Sequence, residues 1–213
     1  MSGWIKICGI TTVDDALAVV ESGADAVGIN LWPQSPRSLT LDDACAIADA
    51  VRTKIEIVAV VVNESEDTLR AVLRSMAPHR LQLHGDETAG MLKHLQPLAF
   101  KALGVARPED VDIAERFPGD IVLVDAHDRE QRGGTGKTAP WDLAAEIAGR
   151  RRTVLAGGLH PDNVAEAIAR VRPWGVDTAS GVEISPGKKD RAKITRFVEN
   201  ARAAFASLAT GGN

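Results

Sequence analysis

Tyrosine is absent from the 213-residue chain, and aromatic residues make up only 4% of it. That scarcity argues against the stacking platforms on which single-stranded nucleic acid is bound. Positive charge is not in excess either, because the formal net charge is −4. No basic field is available to hold nucleic acid or an anionic membrane surface. Cysteine occurs twice, at Cys8 and Cys45. One disulfide is conceivable, but nothing in the pattern suggests a secreted framework. No apolar run approaches about 18 residues, so no membrane-spanning helix is expected. Met1-Ser2-Gly3-Trp4-Ile5-Lys6 lacks the basic and apolar regions of a signal peptide. A cytoplasmic protein is therefore expected. What remains is ordinary for a globular chain, with 45% hydrophobic and 25% charged residues.

Short apolar runs alternate with longer stretches of helical periodicity. Strands are expected at Trp4–Cys8, Asp25–Leu31, Ile55–Val62, Arg80–Leu83, Leu98–Leu103, Ile121–Asp125, Thr153–Ala156 and Gly175–Thr178. Helices are expected over Val13–Val20, Leu41–Val51, Glu87–Leu95, Pro108–Arg116, 140–149, Pro161–Val171 and Lys189–Leu208. A further one follows Asn63-Glu64-Ser65-Glu66, with Leu69, Val72, Leu73 and Met76 on its apolar face. Thr11 or Thr12 and Thr40 are candidate caps. Several strands are apolar at consecutive positions, as befits strands covered on both faces. No linker or low-complexity segment divides the chain. Eight β/α units point to a single (β/α)₈ barrel domain over residues 1–213, with a doubly wound open sheet as the alternative.

Barrel enzymes place their chemistry at the C-terminal ends of the strands. Polar or glycine residues follow strand after strand there. Cys8-Gly9 ends the first strand, and Ser35-Pro36-Arg37 follows the second. Gln82-Leu83-His84-Gly85 closes the fourth. Asp125-Ala126-His127 closes the sixth, Ala156-Gly157-Gly158 the seventh and Asp177-Thr178-Ala179-Ser180-Gly181 the eighth. Glycines after the last two strands let backbone N–H groups approach an anion, which suggests phosphate. Cys8 reads either as a small buried hydrophobe or as a thiolate base at the mouth. Cys45, mid-helix, is expected in the core. Partial burial of Asp125 would raise its pKa and suit it to a general acid. Arg37, fixed by Pro36, could grip a carboxylate or phosphate bidentately. No spacing of His, Cys, Asp and Glu suggests a metal site.

Gly133-Gly134-Thr135-Gly136-Lys137-Thr138 has the tail of a nucleotide-binding loop. The full pattern needs a further glycine where Gln131 stands. The preceding strand also ends too early to feed the lysine.

Taken in order, these segments resemble one family, phosphoribosylanthranilate isomerase of tryptophan biosynthesis. They are Lys6-Ile7-Cys8-Gly9-Ile10-Thr11, Gly23-Ala24-Asp25, Ser35-Pro36-Arg37, Gln82-Leu83-His84-Gly85, and Val124-Asp125 with the Gly133–Thr138 loop. Next come Leu155-Ala156-Gly157-Gly158-Leu159 with Pro161-Asp162-Asn163-Val164. Val176-Asp177, Ser180-Gly181-Val182-Glu183 and Pro186-Gly187-Lys188-Lys189-Asp190 complete the series. The resemblance implies a (β/α)₈ barrel that works without cofactor or metal, on a small phosphorylated substrate; the sequence leaves monomer and homodimer open. It implies an Amadori rearrangement with Cys8 as general base and Asp125 as general acid. It places the anthranilate carboxylate on Arg37 and the phosphate around Gly157, Gly158, Ser180 and Gly181. Asp177 joins them as a substrate-binding candidate. The glycine-rich loop would then cover the substrate near Asp125, with no role assigned to Lys137. Asn30-Leu31-Trp32 departs from the more aromatic stretch expected before Ser35.

Overall fold

The computed structural model of the chain describes residues 3–125 and 139–210. Eight strands pair in parallel, in chain order, and close into a barrel. They are Trp4–Cys8 (β1), Ala26–Asn30 (β2), Glu56–Val61 (β3), Arg80–Leu83 (β4), Ala99–Gly104 (β5), Ile121–Asp125 (β6), Arg152–Ala156 (β7) and Gly175–Thr178 (β8). The closed form prevails over the open sheet because β8 pairs with β1 over four residues, Trp4↔Gly175 to Ile7↔Thr178. The seam depends on a small residue. A Cβ on Gly175 would stand 2.6 Å from the Trp4 carbonyl oxygen.

The outer layer consists of Val13–Ser22 (α1), Leu41–Val51 (α2), Glu66–Ser75 (α3), Ala89–His94 (α4), Glu109–Glu115 (α5), Ala139–Arg150 (α6), Val164–Val171 (α7) and Arg191–Thr210 (α8). Hydroxyl caps set several of the starts. Thr12, Thr40 and Ser65 accept from the backbone N–H of Asp15, Asp43 and Thr68. Helices α4, α5, α7 and α8 begin later than periodicity suggests, the last two for visible reasons. The Asn163 side chain accepts from His160 N at 2.8 Å and donates to Gly158 O at 3.1 Å. That turn delays α7 from Pro161 to Val164. Lys188–Lys189 form a short strand (β10) antiparallel to Glu183–Ser185 (β9), so α8 opens at Arg191 rather than Lys189.

The core has two parts. One fills the barrel with Ala26, Val58, Phe100, Ala102, Ile121, Leu123, Val154 and Ala156. Trp4 and Trp174 stack at 5.6 Å against it, and Trp4 Nε1 donates to Glu56 at the start of β3. The other part lies between strands and helices, where Ile5, Ile7, Val27 and Ile29 meet Val19, Ile47 and Phe197. Alternate residues of a strand face opposite sides. On β1 the side chains between the apolar ones, Lys6 and Cys8, therefore point into the barrel. Cys45 is half-buried rather than enclosed, with Sγ 3.5 Å from Ser75 O. Both cysteines are free thiols.

Candidate active site

Cys8 ends β1, and β2 makes room for it. Its register partner is Gly28, where a Cβ would stand 2.6 Å from Cys8 Sγ. Gly9 then turns the chain at φ +74, and Gly9 and Ile10 both donate to Gly28 O. A side chain on Gly9 would also run into Cδ of Arg37, so this glycine leaves room for both the turn and the arginine.

Cys8, Arg37, Asp125, Gly157, Gly158, Asp177 and Ser180 line one cavity of about 300 Å³ at the C-terminal mouth of the barrel. Gly181 does not line it. It packs against the loop that follows β7, where a Cβ would collide with the Leu159 carbonyl. Thr178 Oγ1 donates to that same carbonyl at 2.6 Å. The two glycine loops are thereby held side by side. Gly157 and Gly158 both have positive φ, and Ser180–Val182 form a single 3-10 turn.

Charge surrounds the thiol. Lys6, fully buried, donates to Asp177 Oδ1 at 2.8 Å and interacts electrostatically with Cys8. Burial pushes the Cys8 thiol up, and the Lys6 and Lys189 ammoniums pull against that shift. Burial also works against the Lys6 ammonium, but Asp177 and Cys8 outweigh it and hold its pKa above the ordinary value. Asp125 ends β6 with its side chain 31% exposed, and His84 Nε2 lies 4.0 Å from its Oδ2. Burial lowers the His84 pKa, opposed by Asp125. His84 Nδ1 is 3.0 Å from Gln82 Nε2. A neutral imidazole with its proton on Nε2 satisfies both contacts. Among the described residues, no group of three or more His, Cys, Asp or Glu side chains is placed to hold a metal ion.

The family described as N-(5'phosphoribosyl)anthranilate (PRA) isomerase matches residues 5–200. The chain belongs to this isomerase family. It is 41% identical over 202 residues to the N-(5'-phosphoribosyl)anthranilate isomerase of Trichlorobacter lovleyi, covering 94% of this chain and 98% of that one. The Neisseria gonorrhoeae isomerase is 42% identical over 198 residues, covering 92% and 95%. The crystal structure of phosphoribosyl anthranilate isomerase from Thermotoga maritima superposes with a TM-score of 0.85 at 40% identity, covering 94% of this chain and 99% of that one. A second solved isomerase, in complex with reduced 1-(o-carboxyphenylamino)-1-deoxyribulose 5-phosphate, has a TM-score of 0.83 at 38% identity, with the same coverage of 94% and 99%.

Four buried charged residues near the cavity receive no individual role from the sequence and acquire partners in the structure. Lys6 sits beside Cys8 in the barrel interior. Its signal is a charge between Ile5 and Ile7 in register with Cys8's face of the strand. Lys101, between the inward-facing Phe100 and Ala102, is also a charge among apolar residues but lies on the opposite face of the sheet. It donates to Leu83 O and Gly85 O on either side of His84, and to Glu87. Glu183 and Lys189 belong to the β9–β10 hairpin. Lys189 Nζ donates to Cys8 O at 2.6 Å and to Glu183 at 2.8 Å. His127 and the Gly133–Thr138 loop lie outside the described residues.

Proposed function

We propose that the barrel mouth carries out the family's reaction with Cys8 as general base and Asp125 as general acid. The observation that carries this reading is their placement on the wall of one cavity, on strands β1 and β6. As an isomerase of this family, the chain converts N-(5'-phosphoribosyl)anthranilate to 1-(2-carboxyphenylamino)-1-deoxyribulose 5-phosphate in tryptophan biosynthesis.

The substrate is a closed furanose and must open first. Asp125 gives its proton to the ring oxygen as the C1–O bond breaks. The amine lone pair forms the C=N bond of a Schiff base. Its cationic nitrogen acidifies the C2 proton, which the Cys8 thiolate removes. The electrons of that C–H bond flow into the nitrogen and give an enolamine. Proton return to C1 and loss of the hydroxyl proton yield the ketone. No electron leaves or enters, so the substrate nitrogen is the only electron sink required.

Arg37 would hold the anthranilate carboxylate with a planar fork of donors. Backbone N–H groups of Gly157, Gly158 and Ser180 would cradle the phosphate, with Gly181 acting by close packing. Asp177 would accept from a sugar hydroxyl while holding Lys6. We assign residues 1–213 to one domain built around this site. Two free thiols fit a reducing compartment such as the cytoplasm. Among the described residues no helix is long and apolar enough to cross a membrane. One similar structure is of mutually generated monomers of the dimeric isomerase from Thermotoga maritima. The chain would act as a monomer or homodimer, which light scattering distinguishes.

The test is the loss of substrate fluorescence when purified protein meets phosphoribosylanthranilate made in situ. Cys8→Ser and Asp125→Asn are run beside the parent. Rapid decay with the parent and little with either variant supports both roles. Decay with all three removes the assignment.

A further inference from the structure

Glu183 is buried beside the cavity without lining it, and both of its oxygens are engaged. Arg37 Nε donates to Oε1 at 2.7 Å and Arg37 Nη2 to Oε2 at 2.6 Å. Behind the carboxylate, Lys189 Nζ donates to Oε1 at 2.8 Å and Gly187 N donates to it at 3.3 Å. Lys189 also donates to Cys8 O and to Ala179 O. Glu183 and Lys189 together therefore tie Arg37 to the strand end that carries the thiol. The Glu183 side chain is only 4% exposed, whereas that of Arg37 is 20% exposed.

A guanidinium has five N–H donors arranged on two usable edges. Glu183 occupies the Nε–Nη2 edge. The Nη1–Nη2 edge is left, and it presents two parallel donors that match a second carboxylate. Charge agrees with this division. Arg37 and Lys189 are cations around the single carboxylate of Glu183, whose pKa they hold below the usual range against the effect of burial. The cluster therefore carries one surplus positive charge, which one carboxylate on the ligand would neutralise. A lone arginine on the rim would have many rotamers. This one is fixed at its far edge, so little rotamer entropy remains to be lost when the ligand binds.

We infer that Glu183 is a positioning residue for substrate specificity, turning Arg37 so that its open edge faces the carboxylate of the aromatic amine. The inference rests on the reading that Arg37 holds that carboxylate. Glu183 itself touches no reacting atom.

The experiment compares two substrates, ribose 5-phosphate condensed with anthranilate or with aniline, which lacks the carboxylate. The readout is the ratio of their kcat/KM values in the parent, Glu183→Gln, Arg37→Gln and the double variant. The parent should favour the carboxylated substrate on the order of tenfold to a hundredfold, the scale of one charge-assisted bidentate contact. Glu183→Gln should lose most of that ratio, because kcat/KM for the carboxylated substrate falls through a higher KM far more than kcat/KM for the aniline substrate falls. In the Arg37→Gln background the same change should alter the ratio no further. A parent-like ratio in Glu183→Gln, with the ratio lost in Arg37→Gln, overturns the inference and leaves the Arg37 reading standing. A parent-like ratio in Arg37→Gln removes the Arg37 reading, and the inference with it. Should Glu183→Gln fail to fold, Glu183→Asp keeps the charge and withdraws it by one methylene. A parent-like ratio in that variant overturns the inference as well.

Discussion

Lys6 and Asp177 face each other across the seam where β1 meets β8, with Nζ 2.8 Å from Oδ1. The pair lies inside the barrel next to Cys8, and the lysine is fully buried. A buried charge is tolerated only when paired, and the Lys6 ammonium has both a carboxylate and a thiol beside it. Lys6→Met removes the cation and leaves Asp177 near the thiol, so Cys8 should ionise at higher pH. The alkaline-going limb of kcat/KM against pH should move upward. Activity at pH 7 should fall about tenfold for each unit of that movement. Stability should fall by about 3–5 kcal/mol, because one partner of a buried pair remains. Thermal melts and a pH–rate profile check the two effects separately.

Cys8 itself should titrate late. Burial raises its pKa more than Lys6 and Lys189 lower it. In the empty site most of the residue is therefore thiol at neutral pH. kcat/KM should keep rising as pH passes the ordinary thiol range. Alkylation of Cys8 by iodoacetamide, measured by mass spectrometry in a Cys45→Ala background, should climb along the same curve. An alkylation rate that has already levelled off by pH 9 would count against a thiol whose ionisation burial pushes upward.

The floor beside Cys8 is a steric requirement. Gly28→Ala would put a methyl 2.6 Å from Sγ and 3.0 Å from Cys8 Cα. The thiol must shift, and a displacement of about 1 Å in a reacting group can cost on the order of a hundredfold in rate. Overpacking should cost about 1–3 kcal/mol. kcat should therefore fall far more than the melting temperature alone explains. Gly23→Ala is the control. Gly23 caps α1 at φ +78 with nothing within 4 Å of its added Cβ. That change should cost stability through backbone strain and leave kcat unchanged.

Much of this was legible in the sequence, for physical reasons that differ from residue to residue. The strands of a buried parallel sheet show as apolar runs, and hydroxyl residues such as Thr40 and Ser65 mark helix starts. Cys8, Asp125 and Arg37 could be located because a barrel puts its site at strand ends. The pairing of Glu183 with Lys189 is not legible in the sequence, because a hairpin of three and two residues is too short for a periodic signal. Lys189 was instead absorbed into the helix that follows. Gly181 reads two ways in the sequence, since glycine at a loop serves close packing and anion approach equally well. Lys6 was visible as a charge among isoleucines, but its partner is 171 residues away. Only closure of the barrel brings the two together.

Stability should fall in acid in two stages. The His84 pKa is lowered in the folded protein, chiefly by burial, from an ordinary value of 6.5. A base whose folded pKa is depressed contributes stability above its unfolded pKa. That contribution is lost as pH falls below about 6.5, because the unfolded chain takes up the proton first. Glu183 is lowered as well, from an ordinary 4.5, by Arg37 and Lys189 acting against burial. Its contribution is present above 4.5 and is lost as pH drops through the folded value. Urea midpoints measured from pH 8 to 4 should therefore decline first near neutrality and again below about 4.5. His84→Gln should flatten the first decline and leave the second. Glu183→Gln should lower the midpoint at neutral pH and flatten the second. If His84→Gln leaves the slope between pH 7 and 5 unchanged, the first stage does not belong to His84.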